Sequence, residues 1–228
     1  MPKGIARQNI AGRASIARKP IASVYATQSE QTAATSPQQF PPGSYTFTPT
    51  VSGFWKFVLW GGGGEDNGAT NGGGSGGYCE ITKFLTTAQT VALVVGVGAR
   101  NAVAGTASSA TFPDGTVVTA GAASGRNGGT ATGGDVNLAG SLGGDGSVGG
   151  NGAAGLGTGG GLGGAGATGS RGGGAGAPAN LPFRGGDGGT AGGGGNPGGR
   201  SPGSGYAAAV SNAQSGGDGM IIAFLARS

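Results

Sequence analysis

The chain has 228 residues, of which 59 are glycine and 11 proline, so these two fill about three positions in ten where an ordinary globular chain has roughly 12%. It contains no histidine, one cysteine and nine carboxylates, which excludes imidazole acid/base chemistry, Cys/His zinc sites and a disulfide framework. The formal net charge of +4 is carried by one end: Lys3, Arg7, Arg13, Arg18 and Lys19 occupy the first twenty residues without an acid, while the rest of the chain holds eight cations against nine acids.

Residues 1–26 read as a basic anchoring arm. The segment Ile5-Ala6-Arg7-Gln8-Asn9-Ile10-Ala11-Gly12-Arg13 is echoed eleven residues later by Ile16-Ala17-Arg18-Lys19-Pro20-Ile21-Ala22. Gly12 and Pro20 oppose a continuous helix, so an extended peptide is expected. Its isoleucines (Ile5, Ile10, Ile16, Ile21) and cations (Arg7, Arg13, Arg18, Lys19) would be the groups that anchor it on a partner. The first twenty residues lack the apolar run of a secretory leader, and no stretch approaches the roughly 20 apolar residues of a membrane span. Residues 27–43 are polar and end in Pro41-Pro42-Gly43, the composition of a linker.

The folded domain is expected over residues 44–228. Tyr45 and Phe47 alternate with threonines, and Gly53-Phe54-Trp55-Lys56-Phe57-Val58-Leu59-Trp60 is apolar on both faces except at Lys56. That run predicts a central strand covered on both sides. Further strands are predicted over 78–85, 89–97, 107–112 and 116–120, the last two joined by the turn signal Pro113-Asp114-Gly115, and a final one over 218–227. With no helical periodicity, the fold expected is mainly β: an antiparallel β-sandwich whose last strand returns after a long glycine-rich excursion over 121–217.

That excursion has few large apolar residues and little lysine, glutamate or glutamine. Glycine can form three-residue-per-turn extended helices that pack side by side with backbone groups bonded between neighbours, because no Cβ intervenes. A polyglycine-II-like lattice is therefore expected there. Residues with larger side chains would bulge from it, at 177–184 and 206–212, where Phe183, Arg184 and Tyr206 are candidates for touching a receptor.

The motifs that could carry other chemistry are weak. Gly155-Leu156-Gly157-Thr158-Gly159-Gly160 has the spacing of a dinucleotide fingerprint but neither follows a strand nor opens a helix. The Gly-Gly-Asp-Gly sequences around Asp145, Asp187 and Asp218 are too irregularly spaced for calcium repeats and predict turns. Trp55 and Trp60, five apart on one strand, fall on opposite faces and predict core packing rather than a sugar platform. Cys79 reads as a buried hydrophobe, and Glu65-Asp66, the one adjacent carboxylate pair, as loop residues. No catalytic residue, cofactor site or metal site is expected.

The motifs Gly43-Ser44-Tyr45-Thr46-Phe47-Thr48-Pro49, Trp60-Gly61-Gly62-Gly63-Gly64, Gly76-Gly77-Tyr78, Val95-Gly96-Val97-Gly98-Ala99, Ala107-Ser108-Ser109-Ala110-Thr111-Phe112 and Gly217-Asp218-Gly219-Met220-Ile221-Ile222 occur in that order. Together they resemble the glycine-rich domain of bacteriophage tail and fibre proteins, over residues 43–228. Residues 89–91 depart from that pattern in lacking a Pro-Gly pair. The resemblance implies a non-enzymatic structural virion protein: a fibre, spike or tail component whose arm docks on capsid or tail proteins and whose domain contacts a host surface receptor, protein or glycan. It also implies a homo-oligomer, with a trimer favoured. The alternative is a decoration or minor capsid protein whose basic arm contacts the capsid interior or the genome, since nucleic acid would engage only the arm.

Overall fold

The computed structural model describes residues 37–65, 72–100, 103–145, 153 and 216–226. Ten strands follow in chain order: β1 (Gln38–Phe40), β2 (Gly43–Phe47), β3 (Gly53–Trp60), β4 (Tyr78–Leu85), β5 (Val91–Val95), β6 (Ser108–Thr111), β7 (Val117–Ala120), β8 (Ala131–Thr132), β9 (Val136–Leu138) and β10 (Met220–Leu225). They form two five-stranded sheets, ordered β1-β10-β3-β4-β9 and β2-β5-β6-β7-β8. Every pairing is antiparallel. This is the expected sandwich.

Alternation places the core between the sheets. In β5, Val91, Leu93 and Val95 are buried while Ala92 and Val94 face outward. Trp55, Phe57 and Leu59 of β3 meet Phe47, Ile81, Leu85, Val118 and Ile221 in one cluster. Edge-to-face aromatic contacts run through it, from Phe47 to Trp55 at 5.0 Å, Phe47 to Phe57 at 5.2 Å and Phe57 to Phe112 at 5.1 Å between ring centres. Such contacts add about 0.5–1.5 kcal/mol each beyond area burial.

The outer face of the first sheet has a second, smaller cluster of Val58, Trp60, Tyr78 and Ile222. Trp55 and Trp60 thus lie on opposite faces, both buried. The double covering predicted for β3 holds only for its C-terminal half, because Phe54 on the outer face is 56% exposed.

The linker prediction over 27–43 is corrected at its end: Gln38, Gln39 and Phe40 pair with Ala223, Ile222 and Ile221. The glutamines and the following prolines masked a strand of only three residues. Two more strands, β8 and β9, lie inside the span expected to be a continuous glycine excursion. Tyr78, Cys79 and Glu80 supply the ladder partners of β9.

At one side of the sandwich Pro41-Pro42 carry the chain between sheets, from β1 to β2; at the other, residues 133–135 carry it from β8 to β9. Gly133 takes φ +83° there, a conformation that favours glycine. Just before β9, Asp135 Oδ2 accepts the Thr82 amide at 2.8 Å, extending the cover of the β4 edge past the three-residue ladder.

The register gives the sandwich two poles. Trp60, Tyr78, Val95, Ser108, Ala120, Leu138 and Met220 all stand at one end of their strands, and all but Ser108 adjoin a glycine-rich segment. At the opposite end, the base, lie Gly53, Leu85 and Leu225. There the Ala226 amide donates to the Phe54 carbonyl at 2.8 Å. The strand β1 runs from the base side toward the glycine-rich end, since Gln38 faces Ala223 and Phe40 faces Ile221.

A Cβ on Gly76 would lie 2.1 Å from the Gly61 carbonyl oxygen, whereas one on Gly115 would meet nothing within 4 Å. Urea denaturation of Gly76→Ala is expected to show a loss of about 3 kcal/mol or more, as overpacking against backbone does. Gly115→Ala, strained only by its φ of +81°, is expected to lose about 1 kcal/mol.

Candidate functional surfaces at the two poles

At the glycine-rich pole the backbone itself forms the bonding surface. The Gly61 amide donates to the Gly77 carbonyl (3.0 Å), Gly62 to Thr106 (3.2 Å), Gly63 to Gly217 (2.8 Å) and Gly64 to Gly74 (2.8 Å). The carbonyls of Gly62 and Gly63 accept from Ala123 and Ala99, each at 2.9 Å. A β-strand bonds alternately to two neighbours, but this segment bonds to five.

Residues three apart return to the same neighbour: Gly61 and Gly64 to residues 74–77, Gly74 and Gly77 to 121–125, Gly72 and Ser75 to 141–144, Gly216 and Gly219 to 96–99. That period is the signature of extended three-residue-per-turn helices bonded side by side. The polyglycine-II-like lattice expected within 121–217 is therefore assembled equally from residues 61–64, 72–77 and 96–99, which follow or precede sheet strands.

The requirement for glycine is steric. A Cβ would come within 2.0 Å of the Val97 oxygen at Gly62, 2.0 Å of the Gly216 oxygen at Gly98 and 1.8 Å of the Ser75 oxygen at Gly140.

Side chains enter only to pin the lattice. Ser108 Oγ donates to the Trp60 carbonyl (2.6 Å) and accepts the Gly96 amide (3.0 Å), stitching lattice to sandwich. Ser75 Oγ accepts the Ser141 amide at 2.8 Å. Asp218 accepts the Gly98 amide at 2.9 Å and pairs with the Arg100 guanidinium. Arg126 donates through Nε to the Gly143 carbonyl (2.8 Å) and pairs with Asp145 at 3.1 Å. The turn reading of Asp145 and Asp218 is thus replaced by ion-paired positions within the lattice; Asp187 lies outside the described residues.

The base is different in kind. Phe54 and Phe84 face each other across β3 and β4, edge to face at 5.4 Å, each 56% exposed. Nearby, Lys83 Nζ donates to Asp114 Oδ2 (2.8 Å) and Thr116 Oγ1 (2.9 Å). The Lys83 contact, with the Thr116 amide, holds the Asp114 carboxyl well below the usual carboxylate range.

On the outer face, Glu80 pairs with Lys56 and accepts the Tyr78 hydroxyl. Burial, reinforced by the bond to Glu80, pushes the Tyr78 phenol far up. Cys79 is fully buried on the core side, where burial pushes its thiol up to about 11, consistent with an inert structural cysteine.

The arm residues Ile5, Arg7, Ile10, Arg13, Ile16, Arg18, Lys19 and Ile21 and the loop residues Phe183, Arg184 and Tyr206 lie outside the described residues. Sequence reasoning missed the pair Phe54 and Phe84; the signal available was their two-residue-period placement on the side of β3 and β4 opposite Trp55 and Leu85. Among the described residues no three His, Cys, Asp or Glu side chains gather as a metal site, and no helix is long and apolar enough to cross a membrane. No protein-family model and no curated protein matches the chain.

Cys79 and Tyr78 both release protons more readily unfolded than folded, so the folded state holds more protons above the ordinary thiol value of 9.0. Stability is fully present below pH 9 and falls as pH rises toward 11. Denaturation series across that window are expected to show this decline, and Cys79→Ala to remove its part between pH 9 and 10 while leaving the Tyr78 part above 10. The thiol is expected to resist Ellman's reagent at pH 8 until denaturant is added.

Proposed function

We propose that the chain is a structural protein of a bacteriophage particle, a fibre, spike or tail component, anchored by residues 1–26 and presenting its glycine-rich end to a host surface. The observation that carries this reading is the separation of the poles. The strand that follows the arm enters from the base side, while the glycine-rich connections gather at the other end. A chain that enters on one side and a displayed surface on the other is the geometry an appendage needs.

The material of the displayed end supports the same reading. A lattice bonded through its own backbone offers few charged groups to nonspecific ligands. Paired amides and carbonyls also resist the local opening that proteases exploit. The segment that contains Phe183, Arg184 and Tyr206 leaves the described structure after Ala153, whose amide donates to Leu142, and rejoins it at Gly216, whose amide donates to Ala99, both in the lattice pole. Those three residues are the proposed receptor contacts, and oligomerisation, as a trimer, would multiply them.

Immunogold electron microscopy of intact particles with antibodies against residues 44–228 is expected to label the outer surface. Gold only after disruption would transfer the body to the interior and the arm to the genome, and absence of label would remove the virion assignment. Replacing Phe183, Arg184 and Tyr206 together by alanine is expected to lower cell attachment at least about tenfold, the loss of one or two interface anchors, with the far-ultraviolet circular dichroism unchanged.

A further inference from the structure

We infer that the exposed aromatic pair at the base, Phe54 and Phe84, is a second docking contact that seats the body against the same particle protein that holds the arm. This rests on the reading that residues 1–26 dock on a particle. The pair lies on the outer face of the first sheet, with half-buried Phe224 and Lys56 beside it. Lys56 is paired with Glu80, and the exposed Asp135 carboxylate stands at the β4 edge on the Thr82 amide, so this end of the face presents apolar rings with an acid, and no free cation, at its margin. It fits a neutral, apolar partner surface rather than an acidic peptide or a nucleic acid.

Area decides which neutral partner. An aromatic side chain has about 150–250 Å² to bury, so two rings at 56% exposure offer about 200 Å². A free-standing interface needs about 800 Å² per partner. The pair is too small to hold a second copy of the chain from solution unaided, but adequate for a surface that is already tethered.

The chain supplies the tether. Pro37 stands on the base side of β1, and fifteen residues separate it from Ile21, the last proposed anchor. A chain of that length reaches at most about 55 Å. A partner gripping the arm is thereby presented to the base at an effective concentration of order millimolar. At that concentration a contact too weak to act alone becomes occupied, and it would fix the body's orientation with the lattice pole pointing away.

Hydroxyl-radical footprinting read by mass spectrometry tests this on the full chain, free and within purified particles. Phe54 and Phe84 are expected to oxidise at least about fivefold more slowly in particles than in the free chain, as residues at an interface centre do. The variant Phe54→Ser/Phe84→Ser, folded by circular dichroism, is expected to load particles several-fold less well. Unchanged oxidation of both rings in particles whose Ile5 and Ile10 are protected would overturn the second contact and leave arm docking intact. Protection that develops in the free chain with rising concentration would assign the surface to a second copy and also overturn the inference. Absence of arm protection, or of the chain itself, would remove the docking reading and this contact with it.

Discussion

A backbone amide that leaves a sheet strand must find another partner or water, and in this protein it finds another glycine backbone. Everything at the lattice pole depends on that exchange. Once Trp60 ends β3, the next four amides bond to three different segments in succession, which only a threefold extended backbone permits. Close approach follows, and with it the exclusion of a Cβ at positions such as Gly62, Gly98 and Gly140. Ordering glycine costs more conformational entropy than ordering any other residue. The lattice can compensate only through near-complete backbone pairing, so it and the sandwich depend on one another. Ser108 shows the joint directly, with one hydroxyl bridging the Trp60 carbonyl and the Gly96 amide.

The two halves of the molecule use different physics. The sandwich is held by apolar burial and edge-to-face aromatic rings around Phe47 and Phe57. The lattice contributes almost no large apolar side chains and is held by hydrogen bonds, with the Arg100 and Asp218 pair and the Arg126 and Asp145 pair pinning it. Such a division places a chemically bland, backbone-bonded surface at one end and apolar rings at the other, the polarity on which the proposed appendage role rests.

Much of the sandwich was legible in the sequence because period-two alternation and turn residues are local signals. The opposite placement of Trp55 and Trp60 follows from their odd spacing alone. The strands β1, β8 and β9 were not legible: two or three residues carry too little pattern, and their stability comes from partners such as Ile222 and Cys79 that lie far along the chain. The lattice was foreseen as a material but assigned to residues 121–217. Glycine runs at 61–64 and 72–77 look like loops until Gly63 is seen to bond Gly217, a contact between positions with no shared sequence signal. The exposure of Phe54 was hidden for a related reason. In an unbroken apolar run, the sequence does not tell which end of which face remains uncovered.

The lattice is the claim on which the rest stands, and amide hydrogen exchange followed by NMR measures it residue by residue. The account predicts that the amides of Gly61, Gly63, Gly74 and Gly77 are protected to nearly the level of Val58 and Leu59 in the core strand, because their opening requires the same cooperative unfolding. Exchange of those glycine amides at the rate of an unstructured chain, beside a protected β3, would contradict it.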